Sequence, residues 1–239
     1  MVKKIFRSVS LDLKGRCVEV KFVRNHLSRR IILRLDQDLD NAEDGLVITL
    51  PNHTSVEQGL ELCRNKADWV LERLDSLTPR IILTDGAVVP LGGVDHTITH
   101  VAEKYGLVIV KEKKIFVHGK LEHLGRRVKD WFAKEAKSRI QIKVYKKSST
   151  LGCSPGRISI RDTKSRWGSC SYKGNLSFSW RLVMAPEAVL DYVVAHEVSH
   201  LVEHNHGPQF WKLVQTISED MIESRKWLKL HGEGLHRIG

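Results

Sequence analysis

Asp191-Tyr192-Val193-Val194-Ala195-His196-Glu197-Val198-Ser199-His200 is the stretch that decides the reading of this chain. Its last five residues spell H-E-x-x-H. Just upstream, Val189, Leu190, Val193 and Val194 recur at helical spacing, and Pro186 suits a first helical position. Residues four apart share one face of a helix, so His196 and His200 present both imidazoles to a single cation. Glu197 follows the first of them. From there its carboxylate can reach a water on that cation without ligating the metal, and take its proton. The competing reading is a solvated surface helix, and the clean apolar run that leads into His196 argues against it.

Catalytic zinc keeps three protein ligands and one open position. The following residues, Leu201 to Pro208, offer Glu203, His204 and His206. His204 would share the face only if the helix continued. His206 requires the helix to stop and the chain to turn back. Asn205 tolerates a left-handed backbone and Gly207-Pro208 bars further helix, so the spacing favours His206 over His204.

Working upstream, Asp162-Thr163-Lys164-Ser165-Arg166-Trp167-Gly168-Ser169-Cys170-Ser171 joins two expected strands, Arg157–Arg161 and Leu176–Trp180. It reads either as a folded turn, with Trp167 in the core and Arg166 on a carboxylate, or as a wall of the site. Cys170 has neither a paired histidine nor a helix N-terminus to activate it and reads as a structural thiol. A long amphipathic helix is predicted over Leu121–Val144, with Leu121, Leu124, Val128, Trp131, Phe132 and Ile140 as its apolar stripe. A last helical stretch carries Phe210, Trp211, Val214 and Ile217.

Residues 1–118 read as a strand-rich region. Strands are predicted at Val18–Val23, Arg30–Leu35, Leu46–Leu50, Val94–Val101, Leu107–Val110 and Lys114–Val117. Gly92-Gly93, Tyr105-Gly106 and Lys111–Lys113 supply turns. One helix is predicted over about 55–77, with Thr54 as N-cap and Glu57 closing a capping box. No internal repeat is visible. The class is α+β, with residues 1–118 preceding a core at 119–239.

The chain has 239 residues and a net charge of +11. No apolar run is long enough to span a bilayer, and Met1–Arg7 leads into no signal-peptide core, so a cytoplasmic protein is expected. Cys17, Cys63, Cys153 and Cys170 form no C-x-x-C pair, which argues against a disulfide framework and a cysteine zinc knuckle. The positive charge suits acidic surfaces or nucleic acid. A basic nucleic-acid-binding protein with a structural zinc is therefore the rival class, and Glu197 beside the ligands argues against it.

Several ordered motifs extend the reading: Arg166–Ser171 (R-W-G-S-C-S), Trp180-Arg181-Leu182, Ala185-Pro186, the residues from Asp191 to Glu197, His200-Leu201, and Asn205-His206-Gly207-Pro208-Gln209-Phe210-Trp211. Together they resemble the YgjP-like, SprT-related family of zinc metallopeptidases. The resemblance implies a zincin-like core: a backing helix, a small sheet and an active-site helix carrying H-E-x-x-H. It implies Zn2+ on His196, His200 and His206, Glu197 as general base, and a peptide or protein substrate. It also implies the Leu176–Trp180 strand as the cleft rim that takes an extended peptide. Related SprT-type proteases act on DNA-attached proteins, a role the charge would suit. Tyr192 and Arg166 are the candidates for stabilising the oxyanion.

Overall fold

The computed structural model describes residues 5–36, 44–102, 106–163 and 166–239. Tyr105 of the expected Tyr105-Gly106 turn, and Lys164-Ser165 of the Asp162–Ser171 segment, lie outside the described residues. The chain divides into two compact units, Met1–Pro79 and Arg80–Gly239. The division expected near residue 118 thus falls earlier. Val89, Ile98, Ile115 and Val117 share one core with Leu124, Val128 and Phe132. Alternation marks a strand but does not say which core it enters, so the sequence grouped these strands with those before them.

In the first unit, β1 (Ile5–Leu13), β2 (Arg16–Arg24), β3 (Ile32–Asp36) and β4 (Gly45–Leu50) form a sheet ordered β1-β2-β4-β3. The outer pairs are antiparallel and the central β2–β4 pair is parallel. Helices α1 (Val56–Asn65) and α2 (Ala67–Asp75) bury Leu60, Cys63, Val70 and Leu74 in one cluster with Val20, Phe22 and Ile48. The single helix expected over 55–77 is therefore two, parted at Lys66 (φ −111°, ψ 22°). Its cap also lies one residue later than expected. Gln58 N–H donates to Ser55 Oγ (3.2 Å) and Ser55 N–H to the Gln58 side chain (2.9 Å). Thr54 and Ser55 each start a capping-box pattern. The one used sets Gly59 so close to the sheet that a Cβ there would lie 3.0 Å from Phe22.

The second unit opens with β5 (Val88–Leu91), β6 (Val94–Val101), β7 (Val108–Lys111) and β8 (Lys114–His118), ordered β5-β6-β8-β7. Its pair directions are again antiparallel, parallel, antiparallel. One four-strand plan is used twice, although the sequence shows no repeat. Such a plan needs alternation and turns rather than the same residues.

A 3-10 turn at Leu121–His123 leads into α3 (Leu124–Thr150), which runs past the expected end at Val144. Its buried stripe is Leu124, Val128, Phe132, Ala136, Ile140 and Val144, whereas Leu121, expected in that stripe, is exposed. β9 (Ile158–Arg161), β10 (Gly168–Cys170) and β11 (Leu176–Ser179) form a small sheet, with β11 in the middle. A 3-10 segment at Trp180–Met184, then α4 (Glu187–Ser199), α5 (Pro208–Ile217) and α6 (Met221–His236), complete the unit.

Two sets of contacts fix the N-terminal half of α4, whose N-cap is Pro186. Lys147 and Lys143 on α3 pair with Asp191 and Glu187, each at 2.9 Å. The Gly92-Gly93 turn, both residues at positive φ, donates its two N–H groups to Val183 O and Met184 O at 2.9 Å. A Cβ on Gly93 would sit 2.9 Å from the Pro186 ring, so only glycine fits this close approach. Among the described residues no helix is long and apolar enough to cross a membrane.

Candidate active site

Helix α4 ends at Ser199, with His200 as its C-cap, so it does not carry on to His204. The turn that follows is closed by local bonds. His200 Nδ1 donates to Glu203 O (3.1 Å), Asn205 N–H to the Glu203 carboxylate (2.9 Å), and Gly207 N–H to Asn205 O (2.7 Å). The left-handed backbone expected at Asn205 is not used; the Glu203 side chain closes the turn instead. Pro208 then opens α5.

This turn brings His206 back over α4. Ligand atoms of His196, His200 and His206 all lie within 4.8 Å of one another. Ring centroids are 5.0 Å apart for 196–200, 5.0 Å for 196–206 and 4.8 Å for 200–206. The Nε2 atoms of His196 and His206 face each other at 3.1 Å. Two nitrogens bound tetrahedrally to one zinc would be about 3.3 Å apart. His200 commits Nδ1 to a carbonyl, which leaves Nε2 for a metal and fixes the ring, as metal-site histidines usually require. The donor set therefore fits zinc. Of the other candidates, His204 packs against Tyr172, at 4.8 Å, and Glu203 accepts from Asn205 N–H.

Phe210, fully buried on the first turns of α5, forms the floor of the triad. Its ring centroid lies 4.9, 4.5 and 4.7 Å from those of His196, His200 and His206. Trp211 stacks on His206 and donates Nε1–H to His206 O (3.1 Å), while the Arg225 guanidinium lies 4.6 Å over the Trp211 ring. Burial, and then the neighbouring histidines and Arg225, hold His196 down at about 4. Burial also lowers His200. Both rings are thus neutral at neutral pH, the form that ligates metal.

Glu197 is buried, 6% exposed, and burial raises its carboxyl to about 7. β10 passes directly over it. A Cβ built on Gly168 would lie 2.5 Å from Glu197 Cγ and 2.6 Å from Oε1. A carboxyl whose folded-state pKa is raised binds more protons folded than unfolded. Metal-free protein therefore loses Glu197's contribution as pH rises from about 4.5 to about 7. His196 acts in the opposite sense over an overlapping range, so only a difference isolates Glu197. Metal-free Glu197→Gln should melt with wild type near pH 4 and several degrees above it at pH 8. Equal melting temperatures at pH 8 would show that Glu197 carries no such burden.

Tyr192 is buried on α4, 6.1 Å edge-on to His196. Arg166 is exposed and lines a cavity on the small sheet. Cys170 sits beside Glu197, and burial followed by that carboxylate raises its thiol to about 11, so it is protonated at neutral pH. All four cysteines are free. Sequence reasoning overlooked Gly168 as the neighbour of Glu197, and Phe210 and Trp211 as supports of the triad. The latter pair carried a signal, since they follow His206-Gly207-Pro208 on the first turns of a helix. Arg225 carried none.

No curated protein and no solved structure matches the chain. A family model described as YgjP-like, metallopeptidase domain, matches residues 30–231, most of the chain. The three imidazoles and the buried glutamate lie within the matched span, and this chain belongs to the YgjP-like family of metallopeptidase domains.

Proposed function

We propose that the protein is a zinc-dependent peptidase, with His196, His200 and His206 as metal ligands through Nε2 and Glu197 as general base. The observation that carries this reading is the convergence of three imidazoles beside a buried carboxylate. Zinc bound there would acidify a water and polarise the scissile carbonyl. Glu197 takes a proton from the attacking water and returns it to the departing amine. A carboxyl poised near neutrality suits both directions of that transfer. Phe210 and Trp211 keep the rings in place and close their apolar side to water.

The strand that borders the site is β10, not the expected Leu176–Trp180 strand. β11 has β10 on one side and β9 on the other, so both its edges are occupied. Ser179 N–H bonds to Trp167 O and Ser171 N–H to Asn175 O. By the alternation of an antiparallel ladder, Gly168 and Cys170 turn their N–H and C=O groups to the free edge. An extended peptide pairing there would pass beside Glu197.

Zinc content of wild type and His206→Ala, with peptidase activity on an unfolded protein measured in parallel, tests the reading. One zinc per chain in wild type, lost or weakened at least tenfold in the variant along with activity, is the expected result. Zinc held as firmly by His206→Ala would move the third ligand elsewhere. Wild type that takes up no zinc would end the proposal.

A further inference from the structure

The outer face of the β9–β10–β11 sheet carries polar side chains in rows. Ser177 pairs with Ser169 on one side and Ser159 on the other, so three hydroxyls cross the sheet in line. One step along the pleat, Arg161 lies on the same face as Ser159. The opposite face holds Leu176 and Phe178 in the core. Above the polar face is a cavity of about 440 Å³, lined by these serines, Arg161, Arg166 and Asn175 among others. Among the described residues its lining has two guanidinium groups and no carboxylate. It adjoins the free edge of β10.

An extended chain added to that edge alternates its side chains between the two faces. The residue opposite Gly168 faces inward, on the side of Glu197. The residue opposite Ser169 faces outward, over the cavity. We infer that this cavity is a specificity subsite for an acidic side chain of an extended peptide substrate, held by Arg161 and Arg166 with the serine hydroxyls around it. The inference rests on the peptidase reading and names the substrate class that the same site would prefer.

The test uses full-length Glu197→Gln protein and fluorescent peptides identical except for a single glutamate, walked along the sequence, against the glutamine isostere. At one position glutamate should bind roughly tenfold more tightly, since a charge-assisted contact to partly exposed guanidinium groups is worth about that much. Arg161→Gln with Arg166→Gln should abolish the ratio. Arg161→Glu with Arg166→Glu should turn it toward lysine, an inversion that a damaged fold cannot produce. No preference at any position, or a preference that survives both arginine substitutions, would overturn the inference. So would tighter binding of a single-stranded oligonucleotide that the same substitutions abolish. Cleavage of the series by wild type is scored separately. If nothing is cleaved, the peptidase reading fails while the binding ratio still decides the subsite.

Discussion

Glu197→Gln is expected to lower kcat on a peptide substrate by roughly 10²–10⁴-fold while the chain keeps its zinc. The three nitrogens proposed as ligands belong to other residues, and glutamine has nearly the volume and shape of glutamate. What it lacks is a lone pair basic enough to take a proton from water. Because Glu197 is buried against β10, solvent has poor access to replace it. Elemental analysis beside steady-state kinetics would check both halves. Retained activity within a few-fold of wild type would remove Glu197 from the chemistry. Zinc lost along with activity would mean the carboxylate supports the metal rather than serving as base.

Gly168→Ala should reach a comparable loss, about 10²-fold or more, without replacing any group that reacts. The added methyl would fall 2.5–2.7 Å from Cγ, Oε1 and Cδ of Glu197, closer than atoms can pack. Either the carboxylate swings away or β10 lifts from α4. Gly168 is not in the left-handed region, so alanine strains nothing in its own backbone and the effect isolates this contact. The variant should keep its zinc and lose little melting temperature. If alanine there left kcat/KM unchanged, the closeness of β10 to Glu197 would have no functional meaning.

Much of this was legible from side-chain type and spacing alone. H-E-x-x-H at the end of an apolar run implied one helix face, and Gly207-Pro208 implied a stop before α5, although the helix already ends at Ser199. Strand alternation identified β2, β4, β6 and β8 within a residue or two. What stayed hidden depends on contacts between distant segments. β5 has only four residues, including Pro90, too few to show a period. The middle position of β11 could not be read, because pairing order in a sheet is a tertiary choice. Nor could Gly168, whose importance lies in a neighbour 29 positions away, Glu197. The +11 charge named no ligand until a cavity gathered Arg161 and Arg166 on one face.

The turn after α4 has a further thermodynamic consequence. It holds two imidazole nitrogens 3.1 Å apart, within reach of one N–H that either neutral ring can donate. Burial disfavours a second proton on His196. The stiff helix, its anchored N-terminal half and the Phe210 floor prevent the rings from relaxing apart. The fold thus holds the cluster in place before any cation arrives. Such a cluster costs a metal little to organise. Its ordering entropy is spent in folding, and a cation binding there moves that shared proton off Nε2.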